Sequence, residues 1–497
     1  MTNNAIVARL WNLCHILRDD GITYHQYVTE LTYLLFLKMM QERGPEYEKQ
    51  IPKGLRWKDL ESKEGTEQLT FYRKMLIELG AQGSGRVEAI FAGAQSSLTQ
   101  PKNLARLVED IDKIDWYEAE KEGLGDLYEG LLEKNAGEKK SGAGQYFTPR
   151  PLISSMVQVM QPQPGELIED PAAGTGGFLI AADRFIKDKT DDLYDLGTAE
   201  QEFQRQKAYL GMELVPETRK LGLMNLMLHE IEGTLSLGNT LSDKGKNMGK
   251  VDLVLTNPPF GTAKGGGVTR DDFTFPTNNK QLAFLQHIYR SLKVPSGKDG
   301  GKKSAAKDGE GGSNKQSGGR AAVVLPDNVL FEENAGTQIR RDLMDKCNLH
   351  TILRLPTGIF YAQGVKTNVL FFTRGATDTG NTKDVWVYDM RTNMPAFGKR
   401  TPFTAEYFVE FEKAFGKDPY GTSKRKDDGE EGRFRKFSRE EITKRGDKLD
   451  ISWLKDDDAT SAEDLPEPDV IAAEILAKLQ TATAAIQELQ EMLEEGE

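Results

Sequence analysis

Cysteines and long apolar runs are both scarce in this sequence. Its 497 residues include two cysteines, Cys14 and Cys347, which are too few for a disulfide framework and have no partners at metal-ligand spacing. The longest apolar stretches, such as residues 31–37 and 251–255, are far shorter than the roughly 20 residues that a membrane-spanning helix needs. The first 21 residues carry charged side chains and lack the cleavage site of a signal peptide. We therefore expect a cytoplasmic protein with no metal site and no membrane partner.

An excess of positive charge is also lacking. The formal net charge is −12, whereas proteins that bind the phosphates of nucleic acids normally carry a basic surface. Part of the negative charge is concentrated in residues 491–497, and a second subunit could supply a basic surface. Charge alone therefore leaves a nucleic-acid partner open.

The chain divides into regions of different texture. Apolar residues at three- and four-residue steps predict an all-helical N-terminal domain over residues 1–137. Alternating strands and helices then predict a catalytic domain over residues 138–415, with a mobile Gly, Lys and Ser-rich insertion at about 295–320 that is more typical of a linker than of a DNA-binding segment. A charged linker is expected over residues 416–468. Residues 469–497 predict a helix whose apolar face packs on its own domain or on a partner.

Seven segments of the second region have the apolar character of buried strands, and helices or loops separate them. This rhythm predicts an α/β fold with a doubly wound, mostly parallel sheet. The predicted strands cover residues 166–170, 209–214, 235–239, 251–257, 321–326, 350–356 and 368–374.

A glycine-rich turn follows the first predicted strand. Residues 170–178 place small residues between a strand and a helix, where the backbone can approach a nucleoside-bearing ligand. Doubly wound folds also use such a turn without a ligand, so the turn by itself leaves both interpretations open. Its candidate cofactor-binding residues are Asp170, Ala172, Gly174, Thr175, Gly176 and Gly177.

Polar residues end the next two predicted strands. Glu213 ends the second, where its carboxylate can accept both ribose hydroxyls of an adenosine. The alternative is a surface glutamate that starts a helix, with Pro216 in the first turn. Asn239 ends the third strand and would border the adenine of a cofactor, although a plain loop is the alternative.

The sharpest signal is Asn257-Pro258-Pro259-Phe260, at the end of the fourth predicted strand. The two prolines stiffen the backbone, so the Asn257 side chain and the Pro258 carbonyl can lie in one plane. If their oxygens accept both hydrogens of an aromatic amino group, its nitrogen can present a lone pair for methylation. Phe260 could stack on the base that carries this group. The alternative, a loop that only ends a strand, fits the strand context less well.

A fourth candidate, Gln145-Tyr146-Phe147-Thr148-Pro149-Arg150, precedes a predicted helix that begins near Pro151. Backbone amides at a helix N-terminus, together with the Thr148 hydroxyl, can bind the carboxylate of a cofactor. In isolation the string could equally be a helix cap with a hydrophobic anchor. Because the four elements occur successively at the ends of neighbouring strands, we expect them to face one crevice.

With these motifs in this order, the chain resembles the modification subunit of type I restriction-modification systems, a family of gamma-order amino-methyltransferases. The resemblance covers most of the chain, and it extends to residues 355–361, in which Phe360 is a candidate contact of the target base. It implies that S-adenosyl-L-methionine is the cofactor and that residues 145–150, 175–177 and Glu213 contact it. The implied methyl acceptor is N6 of a flipped adenine in double-stranded DNA.

The resemblance also implies an architecture and partners. A seven-stranded sheet would end in an antiparallel hairpin, which fits residues 349–374. A specificity subunit would choose the DNA sequence, with two copies of this chain for each specificity subunit, and restriction nuclease subunits can be added. These partners would account for the negative charge and for the lack of a recognition domain after Phe260.

Two other functions stay open at this point. The Asn257 side chain and the Pro258 carbonyl together form an amino-group clamp, and a glutamine amide in a protein, or a base in RNA, could also bind to it. The chain would then be a methyltransferase with another substrate. A non-catalytic assembly subunit with a vestigial site is the second alternative.

Overall fold

The computed structural model describes residues 6–8, 24–83, 85–114, 116, 124–138, 148–262, 268, 270–295, 317–360, 365–395, 397 and 401–455. The chain forms two units, Met1–Ser452 and Trp453–Glu497, and the helices and strands within the described residues all lie in the first. The predicted helix over residues 469–497 and most of the predicted insertion at 295–320 lie outside the described residues. So does Cys14, whereas Cys347 is a buried free thiol.

The first part of the chain is helical, as its apolar spacing predicts. Leu31, Leu34 and Leu35 recur at helical spacing and are fully buried, so this face of the first helix forms part of the core. The helices are α1 (Tyr24–Glu42), α2 (Pro45–Glu48), α3 (Trp57–Glu61), α4 (Gly65–Gln82), α5 (Arg86–Phe91), α6 (Pro101–Asp112) and α7 (Leu124–Glu138).

The second part alternates strands and helices around one sheet. Its strands are β1 (Ile168–Asp170), β2 (Tyr209–Glu213), β3 (Thr234–Leu237), β4 (Leu253–Thr256), β5 (Arg320–Pro326), β6 (Cys347–Arg354), β7 (Thr367–Arg374), β8 (Asp384–Asp389) and β9 (Phe434–Ser438). Its helices are α8 (Arg150–Met160), α9 (Gly177–Lys189), α10 (Thr198–Gln206), α11 (Pro216–Leu228), α12 (Asp243–Lys246), α13 (Lys280–Ser291), α14 (Asn328–Phe331), α15 (Ala335–Lys346), α16 (Val409–Phe415) and α17 (Arg439–Lys444), with a 3-10 helix at Ala405–Phe408.

The strand order is β3-β2-β1-β4-β5-β7-β6-β8-β9. The first five strands in this order run parallel, and β7 lies antiparallel between β5 and β6. The chain leaves β1 towards β2 and β3 and later returns to β4 on the other side of β1. In doubly wound folds, ligands bind beside the carboxyl ends of the strands at such a reversal, which here lies between β1 and β4. The predicted fold class and the terminal hairpin are confirmed.

The sheet is larger than the seven strands that the resemblance implies. Strand β8 pairs parallel with β6, and β9 pairs antiparallel with β8. Strand β9 and helix α17 lie in residues that the sequence predicts as a charged linker. Arg435 and Lys436 give β9 a polar sequence, and an edge strand tolerates such side chains because one of its sides faces solvent.

A buried ion pair fastens the amino end of β5 to the segment before β1. Arg320 is 1% exposed, and its guanidinium nitrogens lie 2.6 and 2.9 Å from the two carboxylate oxygens of Glu166. Arg320 also donates to the carbonyls of Met160 and Gln161, and its guanidinium lies over the Tyr420 ring. Since both charges are removed from water, the loss of either side chain would leave the other as a buried charge without a partner.

Among the described helices, none combines the length and the apolar character needed to cross a bilayer.

Candidate active site

Three of the predicted site residues end or follow neighbouring parallel strands. Asp170 ends β1 and Glu213 ends β2, while Asn257 comes directly after β4. Because β1 pairs with both β2 and β4, these residues stand side by side at one edge of the sheet. The expectation that they share a crevice therefore agrees with the strand order.

The glycine turn after β1 has the backbone that its sequence predicts. Gly174 and Gly176 have φ values of +54° and +85°, which residues with a Cβ rarely adopt. Asn225, from α11, donates its side-chain amide to the Thr175 carbonyl at 3.0 Å. A Cβ at Gly222 would come within 3.0 Å of the Gly174 carbonyl oxygen. The turn is therefore held closely against α11.

The carboxylate of Glu213 contacts this turn directly. One oxygen accepts a hydrogen bond of 2.9 Å from the Gly174 amide, and the other accepts one of 2.8 Å from the Val215 amide. Burial raises the pKa of Glu213, and the amide hydrogen bonds partly offset this effect. The predicted ribose ligand thus also fastens the glycine turn to the end of β2.

Asp170 links β1 to β4. Its carboxylate is 1% exposed and accepts hydrogen bonds from the Thr256 hydroxyl at 2.7 Å and from the Ala172 amide at 3.1 Å. Burial raises the pKa of Asp170 to about 7, although these two hydrogen bonds lower it in part. In this structure Asp170 supports the glycine turn and the end of β4, directly before Asn257.

This raised pKa predicts a pH dependence of stability. The folded protein retains the Asp170 proton between the unfolded pKa, about 3.9, and the folded pKa, about 7. The proton therefore contributes stability that is fully present below the unfolded value and is lost as pH rises through about 7. Asp170→Asn keeps an acceptor for Thr256, so its unfolding midpoint should fall less than that of the wild type between about pH 5 and pH 8.

Thermal unfolding at a series of pH values checks this expectation. Asp243→Asn, at an exposed aspartate at the start of α12, is the matched control and should follow the wild-type curve. Parallel curves for the wild type and Asp170→Asn would contradict the assignment.

The two polar atoms of the Asn257 side chain have different surroundings. Its amide nitrogen donates to the Thr148 hydroxyl at 2.9 Å. Its oxygen, Oδ1, is buried and has no hydrogen-bond partner within the described part of the chain. A buried acceptor without a donor is costly, and a ligand that supplies a hydrogen would relieve that cost. Pro258 is buried next to it, and Phe260 packs partly against the main core.

Two side chains that the sequence analysis missed hold the loop after this motif. Gln281, at the start of α13, forms two hydrogen bonds with the backbone of Gly261. Its amide nitrogen donates to the Gly261 carbonyl at 3.1 Å, and its amide oxygen accepts from the Gly261 nitrogen at 2.6 Å. Farther along the loop, Arg270 donates to the Thr240 carbonyl at 3.2 Å. Nothing in the local sequence marks either residue, because both contacts join segments that are far apart in the chain.

Arg270 also belongs to a buried chain of polar groups. Its guanidinium lies 2.7 Å from Nδ1 of His287, and Nε2 of His287 lies 2.8 Å from the Glu169 carboxylate. Because the guanidinium has only hydrogens to give, Nδ1 is the acceptor and Nε2 carries the hydrogen. These three side chains connect the loop after Phe260 to β1.

The other predicted cofactor residues have mixed placements. Gln145, Tyr146 and Phe147 lie outside the described residues. Asn239 is exposed, and its Oδ1 accepts a hydrogen bond from the Leu241 amide at 2.9 Å, which makes a local turn. The next residue, Thr240, donates its hydroxyl to the Pro171 carbonyl at 2.5 Å and so joins this loop to the glycine turn.

Comparison with known proteins identifies the family of this chain. The model described as N-6 DNA Methylase matches residues 119–300 and 313–462, and the model described as HsdM N-terminal domain matches residues 6–111. The StySPI type I restriction enzyme methylase subunit of Salmonella potsdam is 52% identical over 100% of this chain and 97% of its own length. The chain belongs to the N-6 DNA methylase family of type I restriction enzymes.

Other relatives agree with this membership. The EcoKI methylase subunit of Escherichia coli K12 is 52% identical over 98% of this chain and 95% of its own length. The crystal structure of the EcoKI M protein matches with a TM-score of 0.58 and 48% identity over 98% of this chain and 96% of that one. A chain from a study of type I restriction-modification complex assembly has a TM-score of 0.70 and 27% identity, with full coverage of both chains.

In this N-6 DNA methylase, Arg150 takes part in an ion-pair cluster that the sequence analysis did not find. Its guanidinium lies 2.6 Å from the Glu129 carboxylate, on α7, and Arg184 pairs with Asp126 on the same helix. His229 lies 3.7 Å from Asp126, and ligand atoms of Asp126, Glu129 and His229 lie within 4.8 Å of one another. Since guanidinium groups pair with both carboxylates, we interpret this cluster as a link between α7 and helices α8 and α9.

The candidate base contact Phe360 lies inside the methylase core. It is 3% exposed and belongs to the main hydrophobic cluster, together with Phe397. Contact of its ring with a base would require the segment that carries it to move. A role for Phe360 in binding the base therefore stays a prediction.

Proposed function

We propose that this methylase subunit transfers a methyl group to N6 of an adenine that is flipped out of double-stranded DNA. The arrangement of Asn257 carries this proposal. The Asn257 Oδ1 atom, directly after β4, is a buried acceptor that receives no hydrogen bond from any residue that the structure describes. The amino group of adenine offers the hydrogens that such an acceptor lacks.

The clamp would act on the lone pair of the amino nitrogen. In free adenine this lone pair is delocalised into the ring, so the nitrogen is a weak nucleophile. If Asn257 Oδ1 and the Pro258 carbonyl each accept one hydrogen, the nitrogen becomes pyramidal and its lone pair points to one side. Phe260 would stack on the extruded base, a contact that contributes about 1–3 kcal/mol against an unstacking cost of a few kcal/mol. Pro259 would keep the loop rigid.

We propose that the cofactor is S-adenosyl-L-methionine, which supplies a methyl group activated by a sulfonium. The donor set of this chain fits it. Glu213 offers a carboxylate that can accept from ribose hydroxyls, and the turn with Gly174 and Gly176 has no side chains at these two positions that would keep a nucleoside from its backbone. The segment before Arg150, at the N-terminus of α8, would bind the carboxylate of the methionine part. Positioning by these groups would supply much of the rate acceleration.

Replacement of Glu213 by alanine is expected to weaken S-adenosyl-L-methionine binding at least about tenfold, because hydrogen bonds to a charged carboxylate contribute about 1.5–3 kcal/mol. Titration calorimetry on the full chain measures this affinity. Glu217→Ala is the matched control, since Glu217 lies nearby in α11 but is 45% exposed and pairs with Lys220. An unchanged dissociation constant for Glu213→Ala would remove Glu213 from the cofactor site.

We also propose that a specificity subunit chooses the DNA sequence, with two copies of this chain per specificity subunit and restriction nuclease subunits as further partners. The net charge of −12 supports a partner that supplies basic surface. The relatives are named as methylase subunits of type I restriction enzymes, and one matching structure comes from a study of complex assembly. The C-terminal part of the chain, predicted from the sequence as a helix over residues 469–497, is the segment that we propose for partner binding.

A methyl-transfer assay with tritiated cofactor tests the function. The purified chain, with and without its specificity subunit, is offered duplex DNA, RNA and protein. We expect label in N6-methyladenine of duplex DNA, and only with the specificity subunit present. Label in glutamine or in RNA would replace the substrate, whereas cofactor binding without any transfer would indicate a non-catalytic assembly subunit.

A further inference from the structure

We propose that Thr148 is a positioning residue that holds the Asn257 side chain in the orientation that accepts the amino group. Thr148 and Asn257 are 109 residues apart in the chain, and the hydroxyl lies 2.9 Å from the Asn257 amide nitrogen. The inference rests on the proposed function, and it gives the Thr148 hydroxyl a role different from the cofactor contact expected from the sequence.

The residue directly before α8 is Pro149, and its side chain forms no capping hydrogen bond. The Thr148 hydroxyl, one residue earlier, accepts the hydrogen bond from Asn257. This bond engages the nitrogen of the Asn257 amide, whereas the oxygen, Oδ1, has no partner among the residues that the structure describes.

An asparagine amide has two orientations of nearly equal shape, and only one of them presents an acceptor to the base. In this structure the Thr148 hydroxyl accepts the hydrogen bond from the Asn257 nitrogen, which places Oδ1 at the other end of the amide. This is the orientation in which Oδ1 can accept a hydrogen from the amino group of the base. Without the hydroxyl, the Asn257 nitrogen loses its acceptor and the amide is free to rotate about its Cβ–Cγ bond.

Variants of Thr148 separate this role from a cofactor contact. Thr148→Val keeps the shape of the side chain without its hydroxyl, and we expect it to slow single-turnover methyl transfer about tenfold, the effect of one lost hydrogen bond. Affinity for S-adenosyl-L-methionine should stay within about threefold of the wild type. Thr148→Ser retains the hydroxyl, so its rate should stay within about threefold of the wild type.

A double-mutant cycle with Asn257→Asp gives a second readout. Both oxygens of a carboxylate are acceptors, so an aspartate at position 257 has no wrong orientation. In the Asn257→Asp background, Thr148→Val should therefore lower the rate of methyl transfer less than about threefold. If the role of Thr148 were merely structural, the substitution would lower the rate by the same factor in both backgrounds. If the Asn257→Asp variant transfers too slowly to measure, the comparison of serine with valine decides alone.

The experiment uses the full chain with its specificity subunit, duplex DNA and tritiated cofactor. No transfer by the wild-type complex would refute the proposed function itself. Transfer by Thr148→Val at the wild-type rate, with the wild-type complex active, would overturn only the role of Thr148. An equal loss of cofactor affinity and of rate in Thr148→Val would make Thr148 a cofactor ligand and would also overturn it.

Discussion

Asn257→Ala is expected to lower the rate of methyl transfer by at least about 100-fold, the scale seen when one group that stabilises a reacting centre is removed. The variant loses the buried Oδ1 acceptor, so the amino group keeps its lone pair in the aromatic ring. The affinity for S-adenosyl-L-methionine should change little, since Glu213 and the glycine turn stand on other strands. Single-turnover transfer and titration calorimetry measure the two quantities separately.

Asn247→Ala is the control for this prediction. Asn247 follows α12, is exposed and has no part in the clamp, so its replacement should leave the rate unchanged. A near-normal rate in Asn257→Ala would remove the motif from the chemistry. A parallel loss of cofactor binding would indicate instead that the crevice had collapsed.

Arg320→Ala is expected to destabilise the protein by about 3–5 kcal/mol, because it leaves the buried Glu166 carboxylate without its partner. The variant also loses the hydrogen bonds to the carbonyls of Met160 and Gln161. Denaturant unfolding, followed by circular dichroism, measures the loss. The double variant Arg320→Leu with Glu166→Leu should recover part of it, because no charge then stays buried alone.

An exposed pair provides the comparison. Arg445 lies 3.8 Å from Asp450, and both side chains are close to half exposed. Arg445→Ala should therefore cost less than about 1 kcal/mol. Equal losses in Arg320→Ala and Arg445→Ala would show that the pair with Glu166 has no special importance.

The sequence was sufficient for features whose cause is local. Apolar runs locate the first seven strands to within a few residues, and the alternation with helices predicts the parallel sheet. The turn with Gly174 and Gly176 and the stiff Asn257 motif are short strings whose geometry follows from their own residues. The order of these strings along the chain was enough to place them at one edge of the sheet.

Features that depend on distant partners could not be predicted in this way. Strand β9 is charged and becomes a strand only because β8 offers it an edge. The bond between Thr148 and Asn257 joins the start of one helix to the end of a distant strand. Gln281 and Arg270 hold the loop after Phe260 from positions with no recognisable motif.

Phe360 shows a limit of a family resemblance. The resemblance makes Phe360 a candidate base contact, and this role stays a prediction, because a phenylalanine can also be part of a hydrophobic core. The structure places the ring among buried apolar side chains. Whether a side chain faces a ligand or the interior depends on the packing of the whole loop, which a motif does not contain.

During synthesis on the ribosome, β5 emerges well before the strand that pairs with its free side. That strand is β7, which lies between β5 and β6 in the sheet but is synthesised after both of them. Until residue 374 has left the exit tunnel, the apolar strand 320–326 presents unpaired backbone groups along one side. Such an edge attracts strands of other chains. Nascent chains of this protein should therefore need chaperones most during this interval of translation.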